Sequence, residues 1–278
     1  MALPVVTAEN YFSPEMNMAY MGSTQFKAFD RCEAAALAEL RGEYAPAAST
    51  AMLVGGYIDA YFSGELPVFH AQHPEIFKRD GSLKAEYVHA QDVIARMEAD
   101  ELYMLLMSGK KQVILTGEIA GVPFKVKIDS LLDAGICRRI VERFPDTAAA
   151  LGMCDGALVD QKAMRDMKDV WSEEEFAKVP FVQAYGYDIQ GAIYQAIEGH
   201  MLPFILAVGT KEDAPDIGAL YIPDGELAAK LAEVEDRAPR YQAIKEGRIA
   251  PRRCEKCAYC RMTKKLRGIV DYREVGEC

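Results

Sequence analysis

The sequence lacks any apolar run close to the roughly 20 residues that a membrane-spanning helix needs. Its first ten residues also lack a basic segment followed by a long apolar stretch, which is the pattern of a secretory signal. We therefore expect a cytoplasmic protein, in which the seven cysteines are reduced thiols or metal ligands rather than disulfides. Histidine is scarce, and the four present (His70, His73, His89 and His200) show no metal-ligand spacing.

Basic residues are also fewer than acidic ones: the sequence has 32 Lys and Arg residues and 42 Asp and Glu residues, and its net charge is −10. This counts weakly against a simple nucleic-acid coat, since neutralised phosphates supply most sequence-independent affinity. It does not exclude an enzyme that acts on nucleic acid. A metal site is built from carboxylates, and a local basic groove can coexist with an acidic exterior.

The pattern of the chain changes near residue 110. Helical patterns dominate before this point, including a helix over 23–40 that runs through Cys32. After it come alternating apolar or β-branched runs separated by glycines, which predict strands at 111–115, 117–120, 122–132, 156–162, 203–210 and 217–222. Further helices are predicted over 179–199 and Asp224–Lys245. This order predicts a mixed α/β protein, with a central mixed sheet flanked by helices and helical additions at both ends.

The composition is 50% hydrophobic, which is enough for a full core in one domain or in one domain with a small appendage. We predict a single domain over 1–278. Its helical N-terminal part is 23–110, its core is 111–222, and a C-terminal helix with a cysteine cluster follows at 223–278.

Two of the predicted strands carry acidic residues in positions that suggest chemistry. One is Phe124-Lys125-Val126-Lys127-Ile128-Asp129, and the other is Ala157-Leu158-Val159-Asp160-Gln161-Lys162. Because side chains alternate along a strand, Asp160 and Lys162 point the same way. A lone Asp-x-Lys is most often a solvated strand face. If the Asp129 strand pairs beside it, two carboxylates and one ammonium meet, and they can hold a divalent metal ion and activate water for phosphodiester cleavage.

Four short motifs occur in order along the chain. They are Gly55-Gly56-Tyr57-Ile58-Asp59, Lys127-Ile128-Asp129, Val159-Asp160-Gln161-Lys162, and the helix Tyr187-Asp188-Ile189-Gln190-Gly191-Ala192-Ile193-Tyr194. Together they resemble the PD-(D/E)xK nuclease superfamily, and within its RecB-like branch the exodeoxyribonuclease VIII (RecE-like) group of phage and prophage nucleases. The resemblance runs from about Ser23 to Lys265 and implies a restriction-endonuclease-like core.

The resemblance implies roles for individual residues. Asp129 and Asp160 would bind catalytic Mg²⁺ or Mn²⁺, with the Gln161 carbonyl as a further ligand. Lys162 would orient or deprotonate the attacking water and stabilise charge on the phosphorane. Asp59 would take the position that histidine usually holds, where a harder carboxylate suits Mg²⁺.

Gln190 and Tyr194 lie four positions apart on one helix face. The resemblance implies that both contact the metal site or the DNA backbone. The alternative is ordinary packing of that helix on the sheet.

The resemblance also implies an activity. The expected enzyme is a metal-dependent exonuclease that digests linear double-stranded DNA ends in recombination or phage DNA processing. It would supply a single-strand annealing recombinase and could assemble as a homo-oligomer. The alternatives are a non-catalytic DNA- or protein-binding module with the same fold, and a nuclease of endonuclease or 3′→5′ mode.

Basic side chains near these motifs are candidate phosphate contacts or solvated charges. Arg165 and Lys168 follow the second acidic strand, and Lys264 and Lys265 lie near the C-terminus, close to Arg267. Residues 134–155 form an apparent insertion between the two acidic strands, with Arg138, Arg139 and Arg143 on a short helix. This helix could contact DNA, since arginine is suited to phosphate, although we expect a solvated surface helix. Trp171 could stack on a base, although we expect it to be buried against the sheet.

Cys254, Cys257 and Cys260 follow a C-x2-C-x2-C pattern, and Cys32 is a remote fourth candidate. One cysteine before the core and three after it resemble RecB-like nucleases that hold a [4Fe–4S] cluster, such as the AddB subunits and some CRISPR-associated nucleases. This resemblance favours an iron–sulphur cluster over zinc, and unligated thiols are the remaining alternative. The cluster would hold Lys264, Lys265 and Arg267 near the DNA entrance. Cys137, Cys154 and Cys278 have no partner pattern.

Overall fold

The computed structural model describes residues 3–47, 49–151, 155–173, 175–199, 201–266 and 268–269. Cys154, His200, Arg267 and Cys278 therefore lie outside the described residues. The chain divides into two compact units, and each is treated separately below. Unit 1 comprises Met1–Ala47, Glu118–Phe124 and Glu233–Cys278, and unit 2 comprises Ala48–Gly117 and Lys125–Ala232. The single-domain organisation stays a prediction. No described helix is both long enough and apolar enough to cross a membrane.

The strands of the described residues lie between Lys110 and Tyr221. They are β1 (Lys110–Ile119), β2 (Val122–Asp133), β3 (Gly156–Met164), β4 (Val170–Ser172), β5 (Ala177–Val179), β6 (Phe204–Thr210) and β7 (Ile217–Tyr221). Five of them form one sheet in the order β1-β2-β3-β6-β7, and β4 and β5 form a separate two-stranded ribbon. Because β3 is antiparallel to β2 but parallel to β6, the sheet is mixed, as the sequence predicted.

Helices precede, interrupt and follow the sheet. They are α1 (Pro14–Ala19), α2 (Ser23–Arg31), α3 (Glu33–Leu40), α4 (Thr50–Ser63), α5 (Leu66–Gln72), α6 (Ala85–Glu98), α7 (Glu101–Leu106), α8 (Ala134–Arg143), α9 (Ala148–Leu151), α10 (Phe181–Ala184), α11 (Tyr187–Glu198), α12 (Asp224–Lys245) and α13 (Ala258–Met262). The predicted helix over Asp224–Lys245 has the observed bounds. The mixed α/β fold class is confirmed.

Two predicted helices are each broken into two. The helix predicted over 23–40 ends at Arg31, because Cys32 is extended (φ −165°, ψ 105°) and separates α2 from α3. The helix predicted over 179–199 is interrupted at Gly186, whose φ of +63° favours glycine. Periodicity alone gave no signal for either break.

Unit 2 has a core between helices and the central strands. Buried side chains of α4 and α6, including Ile58 and Met97, pack in one cluster with Val159 of β3 and Ala207 of β6. The insertion contributes to this core, since α8 buries Cys137 and Ile140. Its arginines Arg138 and Arg139 are exposed. The insertion is therefore an amphipathic helix with one buried face rather than a wholly solvated one.

Unit 1 assembles segments from both ends of the chain. The ring of Tyr241 on α12 stacks on Phe29 and meets Phe26 edge-on, and both partners belong to α2. The buried Lys245 donates to the Tyr20 carbonyl at 3.0 Å. These contacts fix the second half of α12 against the N-terminal helices.

The approach of α11 to β6 depends on Gly191. A Cβ at this position would lie 2.6 Å from Phe204 Cδ1 and 3.0 Å from Leu227 Cδ2. We expect Gly191→Ala to destabilise the protein by about 1–2 kcal/mol, because overpacking costs about 1–3 kcal/mol and outweighs the gain of roughly 1 kcal/mol in helix propensity. Denaturant unfolding measures the change.

The matched control is Gly225→Ala on α12, where no heavy atom lies within 4 Å of the added Cβ. It should be neutral or slightly stabilising. Equal stability of the Gly191→Ala protein and the wild type would contradict the close packing of α11 on β6.

Candidate active site

The pairing of β2 with β3 places two acids side by side. The register aligns Ser130 with Val159 and Asp133 with Gly156 in antiparallel fashion. The next positions in the same register are Asp129 and Asp160, where the regular pairing ends. Carboxylates directly opposite each other repel, so the ladder is weakest at this point. The strands therefore bring together the two acids that the sequence separates by 31 positions.

Asp160 is almost fully buried, at 2% exposure, and has two defined neighbours. Gln190 Nε2 donates to Asp160 Oδ1 at 2.6 Å. Asp160 Oδ2 forms an ion pair with Lys162 Nζ. The alternation of side chains along β3 thus places Asp160 and Lys162 on one face, as the strand pattern indicated.

Asp129 interacts with the backbone of the neighbouring strand. Its Oδ2 accepts the N–H of Gln161 at 2.8 Å, and its Oδ1 accepts Gln112 Nε2 at 3.4 Å. Burial, together with the charges of Asp160 and Asp59, raises the pKa of Asp129 to about 8. A divalent cation would oppose this effect and favour the ionised carboxylate.

Asp59 belongs to the same electrostatic cluster. Burial raises the pKa of its carboxyl, while the ammonium groups of Lys127 and Lys162 lower it and Asp160 raises it. Helix α4 carries Asp59 to the sheet by packing closely on β3. A Cβ on Gly55 would lie 4.0 Å from the carbonyl oxygen of Ala163.

Lys162 is an ammonium held among carboxylates. Burial lowers the pKa of Lys162, but the charges of Asp160 and Asp129 and the contact with Asp160 outweigh it, and the net shift is upward. Its Nζ also lies 5.4 Å from the centre of the Tyr187 ring. The side chain of Lys162 is 22% exposed.

Gln190 and Tyr194 of α11 have different roles in the site. Gln190 touches an acid directly, whereas the Tyr194 hydroxyl donates to the carbonyl of Lys127 at 3.0 Å. Tyr194 also meets Phe204 edge-on at 5.9 Å. Tyr194 therefore positions the β2 backbone beside Asp129, and Gln190 orients Asp160.

Gln161 contributes through its backbone N–H, which binds Asp129. Its side chain turns towards the core, where Nε2 lies 3.8 Å from the sulfur of Met97. A role for its carbonyl as a metal ligand stays a prediction.

Sequence reasoning missed three neighbours of the site. Gln112 and Lys111 lie on β1, and Tyr187 begins α11. Burial lowers the pKa of Lys111, and the carboxylates of Asp129 and Asp59 oppose that shift. Gln112 has a left-handed backbone (φ +51°), a conformation that no local sequence pattern indicates for glutamine. The adjacency of β1 and β2 gives Gln112 and Lys111 a role, whereas the packing of α11 brings Tyr187 to Lys162.

The predicted phosphate contacts lie on exposed surfaces. Arg165 is 83% exposed and paired with Asp166, and Lys168 Nζ lies 3.3 Å from Glu212 Oε1. Lys264 and Lys265 are exposed residues of unit 1. The expected burial of Trp171 was wrong, because it is 59% exposed. It lies on the two-stranded β4–β5 ribbon, outside the central sheet.

The donor set fits a hard divalent cation. Its candidate ligands are the carboxylates of Asp129, Asp160 and Asp59, and oxygen ligands of this kind suit Mg²⁺ or Mn²⁺ better than a soft metal ion. Asp160 Oδ2, a buried carboxylate oxygen beside the Lys162 ammonium, is a direct candidate. Buried acids that perturb one another in this way are typical of functional sites.

This fold and this arrangement of acids and lysine define a PDDEXK-like nuclease. The chain belongs to the family described as PDDEXK-like domain of unknown function (DUF3799), whose model matches residues 22–137 and 151–263. It is also similar to a crystal structure of a protein from Eubacterium rectale named "Putative exonuclease". The two are 37% identical, the TM-score is 0.84, and the match covers 98% of each chain. No curated protein matches the chain. The nuclease superfamily is thereby confirmed, and the RecE-like group stays a prediction.

The Asp160–Lys162 ion pair should contribute to the free energy of unfolding. In metal-free protein we expect Lys162→Met to cost roughly 2–4 kcal/mol, because it leaves the Asp160 carboxylate buried without its cation. Adding Asp160→Asn to that variant should restore part of the loss. Denaturant unfolding of both variants, with a chelator present to remove metal ions, measures these changes in stability.

The exposed pair Lys168–Glu212 supplies the control. Lys168→Met should change stability by no more than about 0.5 kcal/mol. Equal losses of stability for Lys162→Met and Lys168→Met would show that the buried ion pair stabilises the protein no more than the exposed one.

Proposed function

We propose that this nuclease is a metal-dependent deoxyribonuclease that hydrolyses phosphodiester bonds at the ends of linear duplex DNA. The single observation that carries the proposal is the cluster of Asp129, Asp160 and Lys162 at the end of the β2–β3 ladder. The name of the Eubacterium rectale protein supports the exonuclease mode. An intact cluster argues against a non-catalytic binding module.

Asp129 and Asp160, with Asp59 beside them, would hold Mg²⁺ or Mn²⁺. When bound, the cation acts as a Lewis acid on the scissile phosphate and lowers the pKa of water. Gln190 keeps the Asp160 carboxylate in one orientation through its 2.6 Å hydrogen bond. Tyr194 holds the β2 backbone, and with it Asp129, through the Lys127 carbonyl. Supporting contacts of this kind commonly alter metal affinity or activity 10–100-fold.

Lys162 serves as the cationic group at the reacting phosphate. Its side chain is mostly buried beside Asp160, and its ammonium would orient the attacking water and stabilise the negative charge that grows on the phosphorane. Water attacks phosphorus in line, the P–O3′ bond breaks, and the products are a 5′-phosphate and a 3′-hydroxyl. The raised pKa of Lys162 favours charge stabilisation over proton abstraction.

Arg165, Lys168, Lys264 and Lys265 are proposed contacts to DNA phosphates, since each is exposed. Endonuclease and 3′→5′ modes are the alternatives within the same chemistry. The single-strand annealing partner, a role in phage DNA processing and a homo-oligomer are predictions of the RecE-like resemblance alone.

Substitutions in the cluster should abolish digestion. We expect Asp160→Asn and Lys162→Ala to lower Mg²⁺-dependent hydrolysis of linear duplex at least about 10³-fold, because each removes charge stabilisation in the transition state. Gln190→Ala should lower it about 10–100-fold. The assay compares end-labelled linear duplex with closed circular duplex of the same sequence.

The control is Arg79→Ala, which removes an exposed cation of unit 2 that belongs to none of the four motifs, and this variant should retain full activity. Equal cleavage of circular and linear DNA would replace the exonuclease mode by an endonuclease mode. Undiminished digestion by both cluster variants would eliminate the mechanism.

Metal binding can be separated from catalysis. A Mg²⁺ concentration 100 times the Kd should raise the free energy of unfolding of the wild type by about 2.7 kcal/mol, since only the folded protein binds the ion. Asp129→Asn should lose most of this stabilisation, whereas Lys162→Ala should keep it. The measurement is thermal unfolding across a Mg²⁺ titration. An unchanged Mg²⁺ response in Asp129→Asn would remove that residue from the ligand set.

A further inference from the structure

Four cysteines of unit 1 meet at one point. The sulfur atoms of Cys32, Cys254, Cys257 and Cys260 all lie within 4.8 Å of one another. Cys32 and Cys260 are buried, and Cys254 and Cys257 are partly buried. The remote cysteine that the sequence nominated is thus the fourth member.

We propose that these four cysteines bind a single zinc ion that cross-links the N-terminal and C-terminal segments of unit 1. Four thiolates about 2.3 Å from one tetrahedral zinc ion are about 3.8 Å apart. The sulfurs of Cys32 and Cys260 are 3.6 Å apart, and those of Cys254 and Cys260 are 3.9 Å apart. The sulfur spacing therefore matches one ion.

An iron–sulphur cluster requires a wider arrangement. Each thiolate of a [4Fe–4S] cluster binds a different iron at a different corner of the cubane. Its four sulfurs must therefore stand farther apart than sulfurs that share one ion. The observed spacing favours a single ion over the cluster that the family resemblance suggested. Among single ions, zinc binds such a site more tightly than ferrous iron.

The local backbone is shaped to present the sulfurs. Glu255 adopts a left-handed conformation (φ +57°), which turns the chain between Cys254 and Cys257. The N–H of Cys257 donates to the Cys254 sulfur at 3.3 Å, and the N–H of Cys260 donates to the Cys257 sulfur at 3.4 Å. Backbone donors of this kind orient ligands and stabilise thiolate charge around a metal.

Cys32 is positioned by its neighbour in the chain. Glu33 accepts a two-pronged contact from Arg240, at 2.7 and 2.9 Å, and accepts the N–H of Arg252 at 2.6 Å. The N–H of Ala34 in turn donates to the Arg252 carbonyl at 3.0 Å. The break between α2 and α3 at Cys32 thus faces the segment that leads into Cys254. A metal bond between them closes a loop of more than 200 residues, which restricts the unfolded chain.

The site is independent of the nuclease chemistry, since its ligands are soft thiolates and none belongs to the acidic cluster. The test is metal and sulfide analysis of the full-length protein, expressed with added iron and zinc and purified without oxygen. We expect one zinc per chain, no acid-labile sulfide and no absorbance near ~400 nm. Co²⁺ in place of zinc should give the visible bands of tetrahedral thiolate coordination.

Cys257→Ser should lose at least tenfold in zinc affinity, and Cys137→Ser, a buried cysteine of unit 2, should keep the full zinc content. Asp160→Asn should also keep its zinc, so failure of the nuclease proposal would leave this one intact. If a cysteine variant does not fold, the metal content and absorbance spectrum of the wild type still distinguish zinc from an iron–sulphur cluster. Iron with acid-labile sulfide, one iron without sulfide, or less than a tenth of a metal ion per chain would each overturn the proposal.

Discussion

The end of the β2–β3 ladder is the constraint on which the active site depends. Regular pairing carries the two strands as far as Ser130 and Val159, and the next two residues are acids that repel each other across the sheet. The structure compensates with separate partners, the Gln161 N–H for Asp129 and Lys162 with Gln190 for Asp160. A region of the sheet that is poor for backbone pairing is therefore well suited to bind a cation.

Helix α11 connects that site to the packing of unit 2. Gly191 lets the helix approach β6 closely enough for Gln190 and Tyr194, on either side of it in sequence, to reach Asp160 and the β2 backbone. The helix is thus both a core element and a support for the acids. The two interpretations of Gln190 and Tyr194, site contact and ordinary helix packing, describe the same residues, because the packing is what creates the contact.

The two proposed metal sites differ in the chemistry of their ligands. Carboxylate oxygens select a hard ion that exchanges readily and can contact substrate, whereas four thiolates select a soft, tightly held ion with no open position. The acids of unit 2 are held by a sheet. The cysteines of unit 1 are held by turns and by the Glu33–Arg240 pair. One ion would serve catalysis and the other would serve stability.

The sequence by itself determined the elements whose signals are local. Strand alternation placed Asp160 and Lys162 on one face, helical spacing placed Gln190 and Tyr194 together, and cysteine spacing indicated a metal site that begins at Cys254. Tertiary structure alone decided the rest. Pairing of β1 with β2 brings Gln112 to Asp129, and an extended Cys32 breaks a helix that periodicity had predicted to be continuous. The sulfur separations, which distinguish one ion from a cluster, also arise only from packing. These features join residues distant in the chain, and no local pattern encodes a distance between side chains that meet only after folding.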